Sequence, residues 1–457
     1  MKQVTQVRQI TEGPILRQIL IFFFPILLGT FFQQMYNTAD TIIVGRFVST
    51  EALAAVGSTG PLVNMINGFF IGISSGATVI LSQFFGAGNK DGVVRALHTG
   101  VMLSIVLGLM IVVLGCCFAP LVLRFINTPA DCLPLAQVYI RICFAGAVGS
   151  MVYNMGAGIL RAMGDSRRPM IFLIVSCFIN IAADILFVVV LDWKVVGAAL
   201  ATVLSQAISA GLLMITLVRS KECPLRFSAL RMDPALLRRI LGIGVPAGLS
   251  LVTFDLSNVL VQSGINSFGS ATMAAWTAFG KTDAITWMIS GAFGVSITTF
   301  VGQNFGAQKY RRVQQSVWTC MALSLSVVGL LAAFEYVFRR QILGICTPDA
   351  EVIEIGAYMM SIIVPFNPLF MPIEILSGTM RGTGYSVVPT VITGLSVCLF
   401  RVVWLMTVVF RWHSLMLLCL SYPISWLLAV IVFFIVYFRG NWLRKRIAAC
   451  GMDPEVR

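Results

Sequence analysis

Gln83-Phe84-Phe85-Gly86-Ala87 returns in this chain as Gln303-Asn304-Phe305-Gly306-Ala307, 220 residues later, and each copy closes a long apolar run. Other pieces recur at offsets of 219 to 221 residues. Leu16-Arg17-Gln18-Ile19-Leu20 with Pro25 matches Leu237-Arg238-Arg239-Ile240-Leu241 with Pro246, and Thr128-Pro129 with Tyr139 matches Thr347-Pro348 with Tyr358. Arg161-Ala162-Met163-Gly164 with Ser166 and Pro169 matches Arg381-Gly382-Thr383-Gly384 with Ser386 and Pro389. The chain is two copies of one unit.

What each copy contains follows from composition. Of 457 residues, 58% are hydrophobic and only 11% charged, which is polytopic membrane protein and not soluble domain. Crossing a hydrocarbon core of roughly 30 Å takes about 20 helical residues. Apolar runs of that length predict twelve spans, at 15–47, 53–84, 93–118, 131–160, 169–191, 195–218, 236–268, 271–304, 313–337, 350–380, 386–410 and 414–438. Backbone polar groups in lipid must bond within their own segment, and the weak alternation of a barrel strand is absent, so the spans are helices.

The expected fold is therefore an all-α polytopic membrane protein of twelve transmembrane helices in two pseudo-twofold-related lobes. The lobes run over 1–220 and 236–438, with a cytoplasmic linker at 221–235 and a basic tail at 439–457. Six spans per half is an even number, so both halves sit the same way up. Repeats of this kind enclose the central site of secondary transporters and expose it alternately as one half rocks against the other.

A net charge of +13 could suggest nucleic acid, but the 32 Lys and Arg are not spread evenly. With both tails and the even-numbered connections on one side, and with the span-end residues Arg17, Arg46, Arg95, Arg238 and Arg239 counted with their flanks, 23 fall there, six fall opposite, and three (Arg141, Lys281, Arg401) lie well inside spans. That bias predicts cytoplasmic termini and leaves the bilayer, not nucleic acid, as the partner of the charge. The Arg444-Lys445-Arg446 tail reads as a membrane-surface anchor. Eleven scattered Cys without C-x-x-C and two distant His, His98 and His413, offer no disulfide framework and no structural metal site. The N-terminal apolar run is too long for a cleaved signal peptide and reads as the first span.

Within that span, Phe31-Phe32-Gln33-Gln34-Met35-Tyr36-Asn37-Thr38-Ala39-Asp40-Thr41 sets amides, a phenol and a carboxylate among apolar residues. A carboxylate near the middle of a bilayer is disfavoured by about 2.5 to 3.5 kcal/mol on insertion scales, so it faces protein or water and is functional by default. Asp40 stands seven residues before the outer end of span one, Asp184 seven before that of span five, and Thr202 seven after the start of span six. At about 1.5 Å per residue all three lie ~10 Å below the outer surface. Asn180 is one turn from Asp184, Asn37 nearly one turn from Asp40, and Gln34 and Tyr36 lie near. This is a place to hold a proton or a small cation.

The second half carries Asp255, Asp283 and Glu374 within spans, with Lys281 and Arg401 as possible counter-ions; an Asp255–Lys281 pair would be a structural solution. Pro25, Pro246, Pro365, Pro368 and Pro372 permit kinks. Gly280-Lys281-Thr282 resembles the end of a phosphate-binding loop, but the required earlier glycine is Ala275, so ATP is not the driver and an ion gradient is. No cofactor is expected beyond H+ or Na+ as coupling ion. No nucleophile and base pair points to an intramembrane enzyme, and three basic residues in spans are too few for the cationic cavity of a lipid-linked precursor or polysaccharide flippase.

Gln34-Met35-Tyr36-Asn37 followed by Asp40 and Val44-Gly45, the Gln-x-Phe-Gly-Ala repeat, Arg161-x-x-Gly164 with Pro169, and Asn180-x-x-x-Asp184 together resemble the multidrug and toxic compound extrusion (MATE) family, most closely its DinF-like and MepA-like bacterial branches. The likeness spans both halves. It implies a two-lobed, multi-pass antiporter of the bacterial inner membrane, functional as a monomer, that expels cationic or amphipathic drugs or toxic metabolites in exchange for H+ or Na+. The family's first-lobe ion site falls on Asp40, Asn180, Asp184 and Thr202. The NorM branch uses acidic residues of spans seven and ten, for which Asp255 and Glu374 are the nearest matches.

Overall fold

The computed structural model describes residues 10–125, 132–220 and 223–449. Thr128-Pro129, Lys221 and the tail from 450 onward, all used above, lie outside the described residues. The first half consists of α1 (Ile15–Phe47), α2 (Thr50–Gly86), α3 (Lys90–Phe125), α4 (Leu133–Ala145), α5 (Ala147–Ala162), α6 (Arg167–Asp184) and α7 (Lys194–Val218). The second consists of α8 (Pro234–Asn266), α9 (Ser270–Gly306), α10 (Tyr310–Val337), α11 (Arg339–Cys346), α12 (Ala350–Ile363), α13 (Phe370–Gly382), α14 (Val387–Thr393), α15 (Phe400–Trp404), α16 (Phe410–Trp412), α17 (Leu415–Arg439) and α18 (Trp442–Ala449). No strand occurs among the described residues. Eleven helical stretches are long and apolar enough to cross a membrane, and the α4–α5 pair, bent by 46°, makes a twelfth.

The repeat is visible in backbone detail. Each half breaks its fourth span at the same place, at Gly146 between α4 and α5, and at the 3₁₀ segment Val364–Leu369 that holds Pro365 and Pro368. A side chain at Gly146 would run into Val203 of α7, so the bend brings α7 close. The Arg-x-x-Gly motif ends a helix in both halves: Gly164 and Gly384 take φ of +95° and +85°, a left-handed turn that glycine adopts without steric cost.

Internal packing groups the chain into two compact units, one built on Phe24–Gly248 and the other on Thr11–Phe23 with Leu249–Arg457. The boundaries lie inside α1 and α8, close to Pro25 and Pro246, and not in the Arg219–Pro234 connection. That connection is fastened to α3 of its own unit. His98 Nε2 accepts the Arg226 N–H at 3.2 Å, Thr99 Oγ1 accepts the Asp233 N–H at 3.2 Å, and Arg95 pairs with Asp233 at 3.6 Å.

In the first unit the start of α8 crosses α2 with no side chain between them. A Cβ on Gly72 would lie 2.2 Å from Gly248 N, one on Gly76 2.3 Å from Ile240 O, one on Gly244 2.7 Å from Ile73 Cα, and one on Gly248 2.5 Å from Phe69 O. Two glycine pairs, each four residues apart, let the backbones touch, as small-residue crossings do in membranes. In the second unit the start of α1 meets α9 through a ring stack, Phe23 on Phe293 at 4.1 Å. By the repeat offsets, Phe23 and Phe293 are the counterparts of Gly244 and Ile73.

Candidate functional site

Asp40, Asn180, Asp184 and Thr202 all belong to the first unit, and three helices bring them together. The Thr202 hydroxyl of α7 lies 3.0 Å from Asp40 Oδ2 of α1 and 3.1 Å from its own Ala198 carbonyl, and can donate to either. Asp184 ends α6 where hydrogen bonding widens into the π turn Ile185–Val190, with Leu191 N–H reaching back to Leu186 O at 2.9 Å. Such widened turns recur at functional positions. Ser176 Oγ donates to Ser205 O at 3.0 Å and ties α6 to α7 behind the site.

One helical turn from each of Asp40, Asp184 and Thr202 the chain is apolar. Val44 follows Asp40, Val188 follows Asp184, and Ala198 precedes Thr202; with Ile43, Ala52 and Val195 they form one buried cluster. Their meeting shows that the three polar residues share a level, as helical rise required. It also closes the site on that side. On the other side Tyr36 is buried, with its phenol within reach of Gln33 and Gln206 and in the electrostatic field of Asp40.

Asn180 and Asp184 are fully buried and Asp40 nearly so. Asp184 and Asn180 stand within reach of the Asp40 carboxylate, yet five side-chain atoms of the three residues meet no partner at full hydrogen-bond geometry: Asp40 Oδ1, both atoms of the Asn180 amide and both Asp184 oxygens. Leaving a buried polar atom unpaired costs about 1 to 3 kcal/mol, more for a charged one. Four of the five are acceptor oxygens, which suit a proton or a cation that several of them share, and the fifth, Asn180 Nδ2, is a donor to a carboxylate. Tyr139 of α4 stands within electrostatic reach of both carboxylates. Sequence reading used Tyr139 only as a repeat marker and did not single out Gln206. Gln34 and Asn37, expected near Asp40, are exposed on α1 and join no contact with the cluster among the described residues.

The second-half candidates are dispersed. Asp255 is half-buried and Lys281 exposed, and no ion pair joins them among the described residues. Glu374 pairs with Arg381 at 3.2 Å in a niche that Gly294 leaves open. Asp283 accepts bonds from Trp287 Nε1 at 2.6 Å and Asn367 Nδ2 at 3.1 Å. Beside it lies a carboxylate that sequence reading missed: Glu335 of α10 is buried with Oε2 unpartnered, near Asp283 and the equally unpartnered Thr286 hydroxyl. Two residues from the predicted end of its span, it passes for the flank of the Arg339-Arg340 loop.

Arg401, expected as a counter-ion, has no carboxylate partner among the described residues. Fully buried, it donates from Nε to Ser425 Oγ at 3.0 Å and stacks 4.0 Å over the Tyr422 ring, with Phe254 and Trp426 at 5.8 and 5.7 Å. The rings take the place of a counter-ion.

The MatE family model matches this chain twice, over residues 25–186 and 246–407. The chain belongs to the MatE family. Both matched stretches of this MatE chain begin at the α1 and α8 prolines; Asp40, Asn180 and Asp184 lie in the first, and Thr202 just beyond it. Among relatives, "Probable multidrug resistance protein YoeA" of Bacillus subtilis is 31% identical over 388 residues, 82% of this chain and 83% of its own. "Probable multidrug resistance protein YpnP" of the same organism is 27% identical over 442 residues, 96% of this chain and 98% of its own. A MOP superfamily transporter structure from Pyrococcus furiosus superposes with a TM-score of 0.89 at 22% identity, covering 99% of this chain and 100% of that one, a likeness of fold. The MatE chain is thus a multi-span membrane protein of a multidrug efflux transporter family, and these relatives bear transporter and resistance names, not enzyme names.

Proposed function

We propose that the protein exports cationic or amphipathic small molecules, drugs or toxic metabolites, in exchange for protons that load the Asp40–Asn180–Asp184–Thr202 cluster. The observation that carries this reading is the set of unpartnered buried atoms on two carboxylates and an amide. Two negative charges so far from water repel each other and lack hydration, so the site is stable when a positive charge neutralises it. A proton shared between Asp40 and Asp184 does so and lets the protonated oxygen donate to its neighbours. Na+ would use the same oxygens with both carboxylates ionised. The protein works as a monomer in the bacterial inner membrane with both termini in the cytoplasm.

Purified protein in liposomes tests the coupling. Uphill substrate efflux under a pH gradient without Na+, lost in Asp40→Asn and kept in Asp255→Asn and Glu374→Gln, is the expected result. Efflux driven only by Na+, kept in Asp40→Asn and lost in a second-half variant, would move the coupling site. Topology is checked with a single cysteine at position 340 in a variant stripped of accessible native Cys: labelling from the outside is expected, and labelling only from the cytoplasm would invert the assignment.

A further inference from the structure

The basic tail forms the wall of a groove. Helix α18 is docked on the second unit: Trp442 and Ile447 are buried, Trp442 packs on Tyr437 at 5.8 Å, and Arg446 Nε donates to Thr383 O at 2.8 Å in the turn of the Arg-x-x-Gly motif. Arg446 is thereby used up in holding the helix. Between α18, the end of α17 and the start of α10 lies a groove of about 800 Å³ whose lining includes Arg311, Gln314, Asn441 and Arg444. Among the described residues, neither Arg311 nor Arg444 makes an ion pair and no acidic residue lines the groove.

The remaining wall is aromatic. Trp318, one helical turn beyond Gln314 on α10, stacks on Phe438 at 6.1 Å and meets Tyr437 edge-on at 6.3 Å, and both Trp318 and Phe438 are exposed. Phe434 continues the row one turn along α17, stacked on Phe438 at 5.9 Å. Two arginines and two amides at one end, followed by aromatic rings running into the span, match a molecule with an anionic phosphate head and an apolar tail. Tryptophan and tyrosine favour this interfacial depth, and basic pockets between spans on the positively charged side attract anionic head groups.

We propose that this groove is a binding site for an anionic phospholipid, its phosphate held by Arg311 and Arg444 and its acyl chain lying along Trp318, Phe438 and Phe434. A free phosphate ion shares the head-group chemistry but would leave the aromatic wall without purpose. The site is apart from the Asp40 cluster, so its occupancy is testable without reference to transport.

The test uses full-length protein in detergent, delipidated and titrated with dioleoyl phosphatidylglycerol or dioleoyl phosphatidylcholine, with bound lipid read by native mass spectrometry. The wild type should hold phosphatidylglycerol in preference to phosphatidylcholine. Each basic residue near an anionic surface contributes roughly fivefold in affinity, so Arg311→Gln with Arg444→Gln should weaken phosphatidylglycerol by about thirtyfold and leave phosphatidylcholine unchanged. Lys445→Gln, outside the groove lining, should keep the preference. Trp318→Ala, which trims the aromatic wall and keeps both arginines, should weaken binding of phosphatidylglycerol. Equal binding of the two lipids, an equal loss in Lys445→Gln, or displacement of the lipid by millimolar inorganic phosphate would each overturn the proposal.

Discussion

At repeat-equivalent places the two units carry opposite chemistry. Adding 220 to Asp184 and Thr202 gives Trp404 and Tyr422. In the first unit Thr202 bonds a carboxylate; in the second Tyr422 carries the Arg401 guanidinium on its ring. The backbone around them has not changed to match. The π turn Ile185–Val190 after Asp184 has its counterpart 220 residues on, in Leu405–Val409 after Trp404. Duplication therefore preserved a widened turn that opens space beside a buried side chain, and the two copies filled that space differently. A carboxylate pair can gain or lose a positive partner, whereas an arginine keeps its charge at any pH a cell meets. On the proposed reading, only the first unit holds a switchable charge at this place.

The largest expected effect comes from removing that switch. Asp40→Asn keeps the volume and most of the bonding but cannot ionise, so uphill efflux should fall to the level of empty liposomes while the protein remains folded; Asp184→Asn should leave a small residue of transport. Wild-type efflux by Asp40→Asn would make the acidic cluster structural and end the contrast between the units. Next in size is Thr202→Ala. Losing a hydrogen bond to a charged group costs about 1.5 to 3 kcal/mol, so proton-driven efflux should drop at least about tenfold, with a normal thermal midpoint; an unaltered rate would show that the 3.0 Å contact is incidental.

Arg401→Lys probes the other side of the comparison. An ammonium stacks poorly where a planar guanidinium lies flat, so stability should fall by about 1 to 2 kcal/mol while the response to a pH gradient persists. Loss of coupling with intact stability would bring the basic half into the ion cycle. The smallest effect is predicted for Glu335→Gln, which replaces a buried carboxyl lacking a full set of partners with an amide of the same size. Stability should stay within about 1 kcal/mol of wild type or rise slightly, and proton-driven efflux should stay within about twofold. Abolished transport would reveal a second switchable site and sharpen the comparison into one between two acidic clusters.

Most of the fold was readable because lipid leaves the chain few options: hydropathy located the spans, and the repeated Gln-x-Phe-Gly-Ala and Arg-x-x-Gly motifs mark turns that both halves need. The Asp40 cluster was readable for a related reason. Helical rise converts sequence distance into depth, and Asp40, Asp184 and Thr202 reach the same depth by count. Depth says nothing about azimuth, however. Asn37 lies nearly one turn from Asp40 but on an exposed face, and Asp255 and Lys281 were paired on charge alone. Glu335 escaped because a carboxylate near a span end is normally solvated, and only the packing of α9, α10 and the Val364–Leu369 segment buries it. The ring cage around Arg401 escaped for the opposite reason: a search for counter-ions looks for acids, and aromatic faces are too common in spans to stand out.

The glycine crossing of α2 with α8 limits how this transporter can be altered by descent. At Gly72, Gly76, Gly244 and Gly248 every substitution adds atoms where backbone already stands within 3 Å of the would-be Cβ. No smaller residue is available, so each step away is uphill and none leads to a graded series of neighbours. The Phe23–Phe293 contact is different in kind, because leucine, methionine, tyrosine or tryptophan offers a range of sizes and edges around it. Lineages altering these two contacts would find one of them adjustable by degrees and the other not, so variation among descendants should accumulate at the ring stack and spare the glycine crossing.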